Sequence, residues 1–184
     1  MYAFRFLKAS FYLQLGTAAD HHAIDNLRTI AKLAKDRGDN AIFVVATLME
    51  GLAQLSTTKE DAVTRVQTCI AQASTFQLDE SVHLPQVDIL LMFLDLACSL
   101  REKASEAAYN KWMAVQARLG ELRSSPAWNK ASTELLLPVA KQPGATQSPA
   151  GISADTSAIL RPGTNNNDFL VLSTLGKREI DALT

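Results

Sequence analysis

The sequence predicts an all-α fold, a tetratricopeptide-like solenoid in which helical hairpins stack into an α-α superhelix. Three observations predict it. The 184 residues are 47% hydrophobic but only 7% aromatic, with abundant Ala and Leu, which lose little side-chain freedom in a helix. Up to about residue 125 the apolar residues recur at steps of three and four, the helical period. Finally, helices that are apolar nearly all round alternate with helices carrying one apolar stripe. That pair occurs three times, starting near Tyr2, Asn40 and Pro85, with periods of roughly 38 and 45 residues that suit helical repeats.

The first helix is expected from about Tyr2 to Leu15, stopped by Gly16. The second runs from Asp20, a suitable N-cap, to Arg37, with Gly38 just past its end. The third follows Asp39–Asn40 and reaches Leu55. The fourth starts near Thr58, where Thr58 and Asp61 form a shortened capping pattern, and ends near Ser74. Pro85 suits the first position of the fifth helix, which continues to about Leu100; the sixth spans about Ser105–Leu119 and meets Gly120.

The odd helices need cover on several sides, as the run Ile42–Val45 with Leu48, Met49 and Leu52 illustrates. The even helices place one stripe each on a single face: Ile24, Leu27, Ile30 and Ala34; Val63, Val66, Ile70 and Ala73; Ala108, Trp112, Val115, Leu119 and Leu122. This assigns Trp112 to the core. No hairpin can bury its own inner helix, so neighbours must stack.

Residues 1–125 therefore read as three hairpins of a repeat array. Residues 126–167 read as a Pro/Gly/Ser/Asn-rich loop or linker, punctuated by Pro126, Pro138, Pro143, Pro149 and Pro162. Within it, Glu134–Pro138 is expected to be a short extended segment on the stack, and Trp128 to pin the loop. Helix is expected to return near Asp168, with Phe169, Leu172, Leu175, Ile180 and Leu183 on one face, so that 168–184 begins a further repeat. Both ends read as cut from a longer array.

A formal net charge of -1 gives no global basic field, which argues against direct nucleic-acid binding. Cys69 and Cys98 lie inside apolar helical runs, as small buried hydrophobes of a reducing compartment do. Neither they nor the histidines have zinc-ligand spacing. His21 and His22 are adjacent, so on a helix they point about 100° apart and cannot share a metal; they read as a solvated helix start. Lys32, Lys35 and Arg37 complement the dipole in the last turn of their helix. No phosphate-binding, hydrolase or metalloprotease motif occurs. The expectation is thus no catalytic residue, no cofactor, no metal and no small-molecule substrate. The longest apolar runs are too short to cross a bilayer, so no membrane role is expected.

What remains is binding of a protein. Inner helices of such solenoids line the concave surface, which singles out three stripes of candidate partner-binding residues. They are Arg5, Lys8 and Tyr12; Phe43, Thr47, Glu50 and Gln54; and Asp88, Met92, Asp95 and Ser99. Polar groups mixed with aromatic or Met side chains suit an extended ligand. Phe43 and Met92 fit a purely core role equally well.

Three runs, YAFRFLKASFYLQLG, DNLRTIAKLAKDRGDNAIFVVATLMEGLAQL and QLDESVHLPQVDILLMFLDLACSL, resemble the fungal branch of the cohesin loading factor family. The similarity covers about Tyr2–Leu122 and resumes over LSTLGKREIDALT. That family is the tetratricopeptide-like subunit of the complex that loads cohesin onto chromatin. The resemblance implies a nuclear, non-enzymatic adaptor enclosing an extended segment of a large HEAT-repeat partner and meeting cohesin indirectly. Its members are several times longer, which implies that this chain is a piece of such an array. A repeat scaffold of another regulatory complex fits the same physics, whereas an all-α enzyme would need converging ionisable groups of which the sequence gives no sign.

Overall fold

A computed structural model describes residues 2–15, 20–126, 128, 134–141, 158–163, 167–173 and 177. Six helices come first: α1 (Tyr2–Gln14), α2 (Asp20–Arg37), α3 (Asn40–Ser56), α4 (Ala62–Ser74), α5 (Pro85–Arg101) and α6 (Ser105–Ser124). Three strands follow: β1 (Leu135–Ala140), β2 (Leu160–Pro162) and β3 (Asn167–Leu172). Each helix packs on the next, and α3 lies deepest, touching α2, α4, α5 and β1. The reason is visible in its sequence, since Ala41 to Met49 are all buried and only a surrounded helix can hide so long a run.

The tightest connection joins α2 to α3 through Gly38 and Asp39 alone. Gly38 adopts φ +73°, its N–H donates to the Lys35 carbonyl (3.3 Å), and the Asp39 N–H donates to the Ala34 carbonyl (2.9 Å). This is a Schellman termination, which needs the left-handed conformation that Gly adopts without cost. The same pattern ends α5. Lys103 sits at φ 57°, with N–H donations from Lys103 to Leu100 (3.1 Å) and from Ala104 to Ser99 (3.0 Å).

Asp39 then turns inward. Its side chain is 1% exposed, yet it makes no cap bond to α3. One carboxylate oxygen instead accepts from the Tyr2 hydroxyl (2.7 Å) and lies 3.2 Å from Arg37 Nε. The other accepts from the Ala140 N–H (3.1 Å). Arg37 also lies over the Tyr2 ring, 5.4 Å from its centroid. Burial, with the Asp39 hydrogen bond and charge added to it, pushes the Tyr2 hydroxyl well above its ordinary range, so it stays a donor. The next residue, Asn40, donates to Asp79 (2.5 Å). Asp79 in turn caps the 3₁₀ turn Glu80–Val82 by accepting from the Ser81 N–H (2.9 Å).

Two clusters form the core. The larger gathers α1 to α5 and the sheet around Phe6, Leu27, Ile42, Leu48, Leu94 and Leu137. The smaller joins α5 to α6 through Ile89, Leu96, Val115 and Leu119, closed by Trp128. Charged staples run along that same contact. Lys111 Nζ reaches the Asp95 carboxylate (2.7 Å) and the Ser99 hydroxyl (2.8 Å), and Arg118 joins Asp88 and Glu121, each at 3.1 Å. Arg101 donates to the Leu55 and Thr57 carbonyls, tying the end of α5 to the end of α3.

Several expectations are corrected. The fold is mostly helical, not all-α, because a three-stranded antiparallel sheet of order β1-β3-β2 packs on α1 and α3. Helix was expected from Asp168, but Asn167–Leu172 is strand β3, its Leu170 and Leu172 paired with Leu137 and Leu135. A short apolar run fits either state by periodicity, and the partner strand decides it. The expected extended segment at Glu134–Pro138 is β1, an edge strand, where Pro138 is tolerated. Within 126–167, β2 is a further element. Of the remainder expected as helix after β3, only Ser173 and Lys177 lie among the described residues. Trp112 is 39% exposed, whereas Trp128 is 3% exposed and serves as the core anchor. α1, read as apolar all round and therefore covered, leaves Phe4, Leu7 and Phe11 exposed.

The α2–α3 connection and the matching termination of α5 generate two predictions. Asp39→Ala strands the Tyr2 hydroxyl and the Ala140 N–H, so it should lower unfolding stability by about 3 kcal/mol, and Tyr2→Phe by only about 1 kcal/mol. Urea titration followed by circular dichroism measures both, and equal effects would refute a shared hub. At the Schellman sites the signs should be opposite. Gly38→Ala should destabilise by about 1 kcal/mol although no atom lies within 4 Å of the added Cβ. Lys103→Gly should stabilise by somewhat less than about 1 kcal/mol. Thermal melts of the two variants test this pairing of signs.

Candidate partner-binding surface

The sequence-predicted stripes come to different places. On α3, Phe43, Thr47 and Gln54 are buried, and Phe43 packs its ring 5.2 Å from that of Phe76. Thr47 nonetheless lines a groove together with Glu50, which is half-buried and paired to Arg28 of α2 at 2.8 Å. On α5, Asp88, Asp95 and the buried Ser99 are engaged by α6 through Arg118 and Lys111, and Met92 packs on the smaller core cluster. That stripe serves the hairpin contact. On α1, Arg5 and Tyr12 are half-buried and Lys8 is exposed.

The α1 stripe has company that the sequence did not suggest. Lys8 Nζ lies 5.7 Å from the Tyr12 ring centroid. The His22 ring sits 5.2 Å from Tyr12, and His21 sits 3.8 Å from His22. The histidine pair, read as no more than a solvated helix start, is exposed and extends a ladder of flat rings with a cation at its end. Lys8 and Tyr12, one turn apart on α1, meet the first turn of α2 only once the hairpin has closed.

The groove over α3 measures about 350 Å³. Its floor is Ala31, Thr47 and Cys69; its walls are Arg28 on α2 and Arg65, Thr68 and Gln72 on α4. Arg65 pairs with Asp61 one turn earlier (2.7 Å). Burial, reinforced by the Glu50 charge, pushes the Cys69 thiol up to about 12, so it stays protonated and packs instead of reacting. Gly51 lets this region close: a Cβ there would meet Leu94 Cδ1 at 3.3 Å. The groove offers hydroxyl, amide, guanidinium and carboxylate groups along a shallow channel, which suits hydrogen bonding to an extended chain.

The wall residues Arg28, Arg65, Thr68 and Gln72 were missed because the outer helices were read only for their apolar stripes. The three-and-four spacing of Arg65, Thr68 and Gln72 does put them on one polar face. Knowing that this face borders a groove requires the tertiary placement of α2.

Among the described residues, no three His, Cys, Asp or Glu side chains converge to hold a metal. No helix among them is long and apolar enough to cross a membrane. No curated protein matches the chain, and no solved structure does. A family model does match, over residues 1–184, and its description is cohesin loading factor. With a match over its whole length, joined to a mostly helical fold, the chain belongs to the cohesin loading factor family.

Proposed function

We propose that this chain is a non-enzymatic adaptor of the cohesin-loading machinery, holding an extended segment of a large HEAT-repeat subunit against its helical hairpins at chromatin in the nucleus. Family membership supplies the process. The observation that carries the binding mode is the polar groove over α3, where Thr47 and Glu50 of the sequence-predicted stripe meet Arg28, Thr68 and Gln72 of the flanking helices. An extended segment needs partners for its backbone N–H and C=O groups, and this channel supplies both donors and acceptors. In this reading the hairpins continue as a tetratricopeptide-like superhelix. Lys8 and Tyr12 add contacts at the α1 end, while Phe43 and Gln54 act as buried support.

Thr68 and Gln72 are exposed on the groove rim, so changing them leaves the core intact. Thr68→Trp should fill the channel and weaken binding of the partner's extended segment by about tenfold or more. Isothermal titration of that segment into wild-type and variant chains measures the loss. Unchanged affinity in a variant of unchanged helical content would remove the groove from the interface.

A further inference from the structure

The turn between α3 and α4 holds a hydroxyl that the fold does not use. Thr58 and Asp61 have the spacing of a helix cap, yet Asp61 itself occupies the N-cap of α4 and makes no side-chain cap bond. The Thr58 hydroxyl has no hydrogen bond to another described residue. Thr58 to Asp61 are exposed in succession, outside any helix, and the backbone leading into them at Thr57 is extended, with φ -76° and ψ 149°. Carboxylates therefore stand two and three residues after an open hydroxyl, which suits an enzyme cleft lined by cations.

Thr47, Thr57, Thr58 and Ser99 are the described Ser and Thr residues with a carboxylate three positions on, and the fold separates them. Thr47 and Ser99 are buried inside α3 and α5. Thr57 is half-buried, and its hydroxyl donates to the Gln54 carbonyl (2.8 Å). Thr58 alone among them is exposed and unengaged. A cation also stands ready for the product. Arg101, exposed at the end of α5, donates through Nη2 to the Thr57 carbonyl (2.6 Å), an oxygen of the peptide bond that joins Thr57 to Thr58.

We propose that Thr58 is a phosphorylation site for an acidophilic Ser/Thr kinase, and that Arg101 receives the phosphate and fastens the end of α5 to the α3–α4 turn. The Thr58 Oγ1 attacks the γ-phosphorus of the nucleoside triphosphate that the kinase holds. An O–P bond forms, the bond to the β-phosphate oxygen breaks, the diphosphate leaves, and the hydroxyl proton passes to the kinase's general base. Asp61 is free to meet the kinase, because its pair with Arg65 is about half exposed on both sides and costs little to open. The product carries about -1.5 to -2 charges and three acceptor oxygens, one peptide bond from the Arg101 guanidinium. Thr58 does not line the α3 channel, so this inference goes beyond the loader reading and does not depend on it.

The full chain is incubated with magnesium ATP and a purified kinase selective for a carboxylate three residues past the acceptor, and the sites are mapped by tandem mass spectrometry. Thr58 should carry the phosphate while Thr57 stays bare. Thr57 is the internal control, since an unfolded chain would offer both. Thr58→Ala should abolish labelling of this turn and Thr58→Ser should restore it. Glu60→Gln combined with Asp61→Asn, both exposed, should slow labelling about tenfold or more. Phosphorylation should raise the melting temperature by about 2–4 °C, and Arg101→Gln should remove that rise. A bare Thr58, phosphate on Thr57 in its place, or a rate indifferent to the two carboxylates overturns the acceptor site. No rise in melting temperature, or a rise that survives Arg101→Gln, overturns the role given to Arg101.

Discussion

One buried carboxylate holds the first half of this molecule in register. Asp39 sits where α2 has just ended and α3 is about to begin, and its two oxygens reach α1 through Tyr2 and β1 through Ala140. A carboxylate removed from water is costly unless every lone pair finds a donor. Here the donors come from elements far apart in sequence, so the cost is offset only when all of them have assembled. The neighbouring Asn40 extends the hub to the 3₁₀ turn before α5 through Asp79. A two-residue connection thus governs how α1, the sheet and the entry to α5 sit around α3. The groove over α3 inherits its width from that arrangement, because α2 is one of its walls.

The helical part of this fold was legible because each helix announces itself. Pro85 opens α5 and Gly38 closes α2 where the sequence places them, and the all-apolar run in α3 could only belong to a surrounded helix. Gly120 misled in the other direction: α6 runs through it to Ser124, since a lone Gly lowers helix stability by only about 1 kcal/mol and Leu122 is buried beyond it. The sheet was half legible. Glu134–Pro138 reads as extended, but its partner Asn167–Leu172 is separated from it by a stretch with no pattern, and pairing across such a distance leaves no local signature. Trp112 failed for a related reason. Its stripe position is right, yet at the edge of that stripe it borders an open pocket beside Leu96 and Leu100 of α5, while Trp128 beyond the helix joins the core.

The stripes were legible as helix faces, but not what borders them. Lys8 is exposed, while Tyr12 and Glu50 are half-buried beside a histidine pair and a groove. Asp88, Asp95 and Ser99 follow the same spacing, but α6 presents Arg118 and Lys111 to them. Spacing identifies a face; it does not say which neighbour covers it. The sequence reading treated every non-core stripe on an odd helix as open, and one of the three is a hairpin seam.

The two cores share a single element. α5 gives Leu90, Leu94 and Cys98 to the larger cluster and Ile89 and Leu96 to the smaller. It behaves as a drive shaft with packed teeth on opposite sides. Interiors at crystal-like density do not absorb rotation of such a shaft by gradual deformation. A roll of α5 would have to displace both sets of teeth together, carrying α6 and Trp128 with it. The bonds from Arg101 to the end of α3 lock that shaft at its far end. Torque applied to α6 is therefore delivered through α5 to α3 and α4, the floor and one wall of the polar channel.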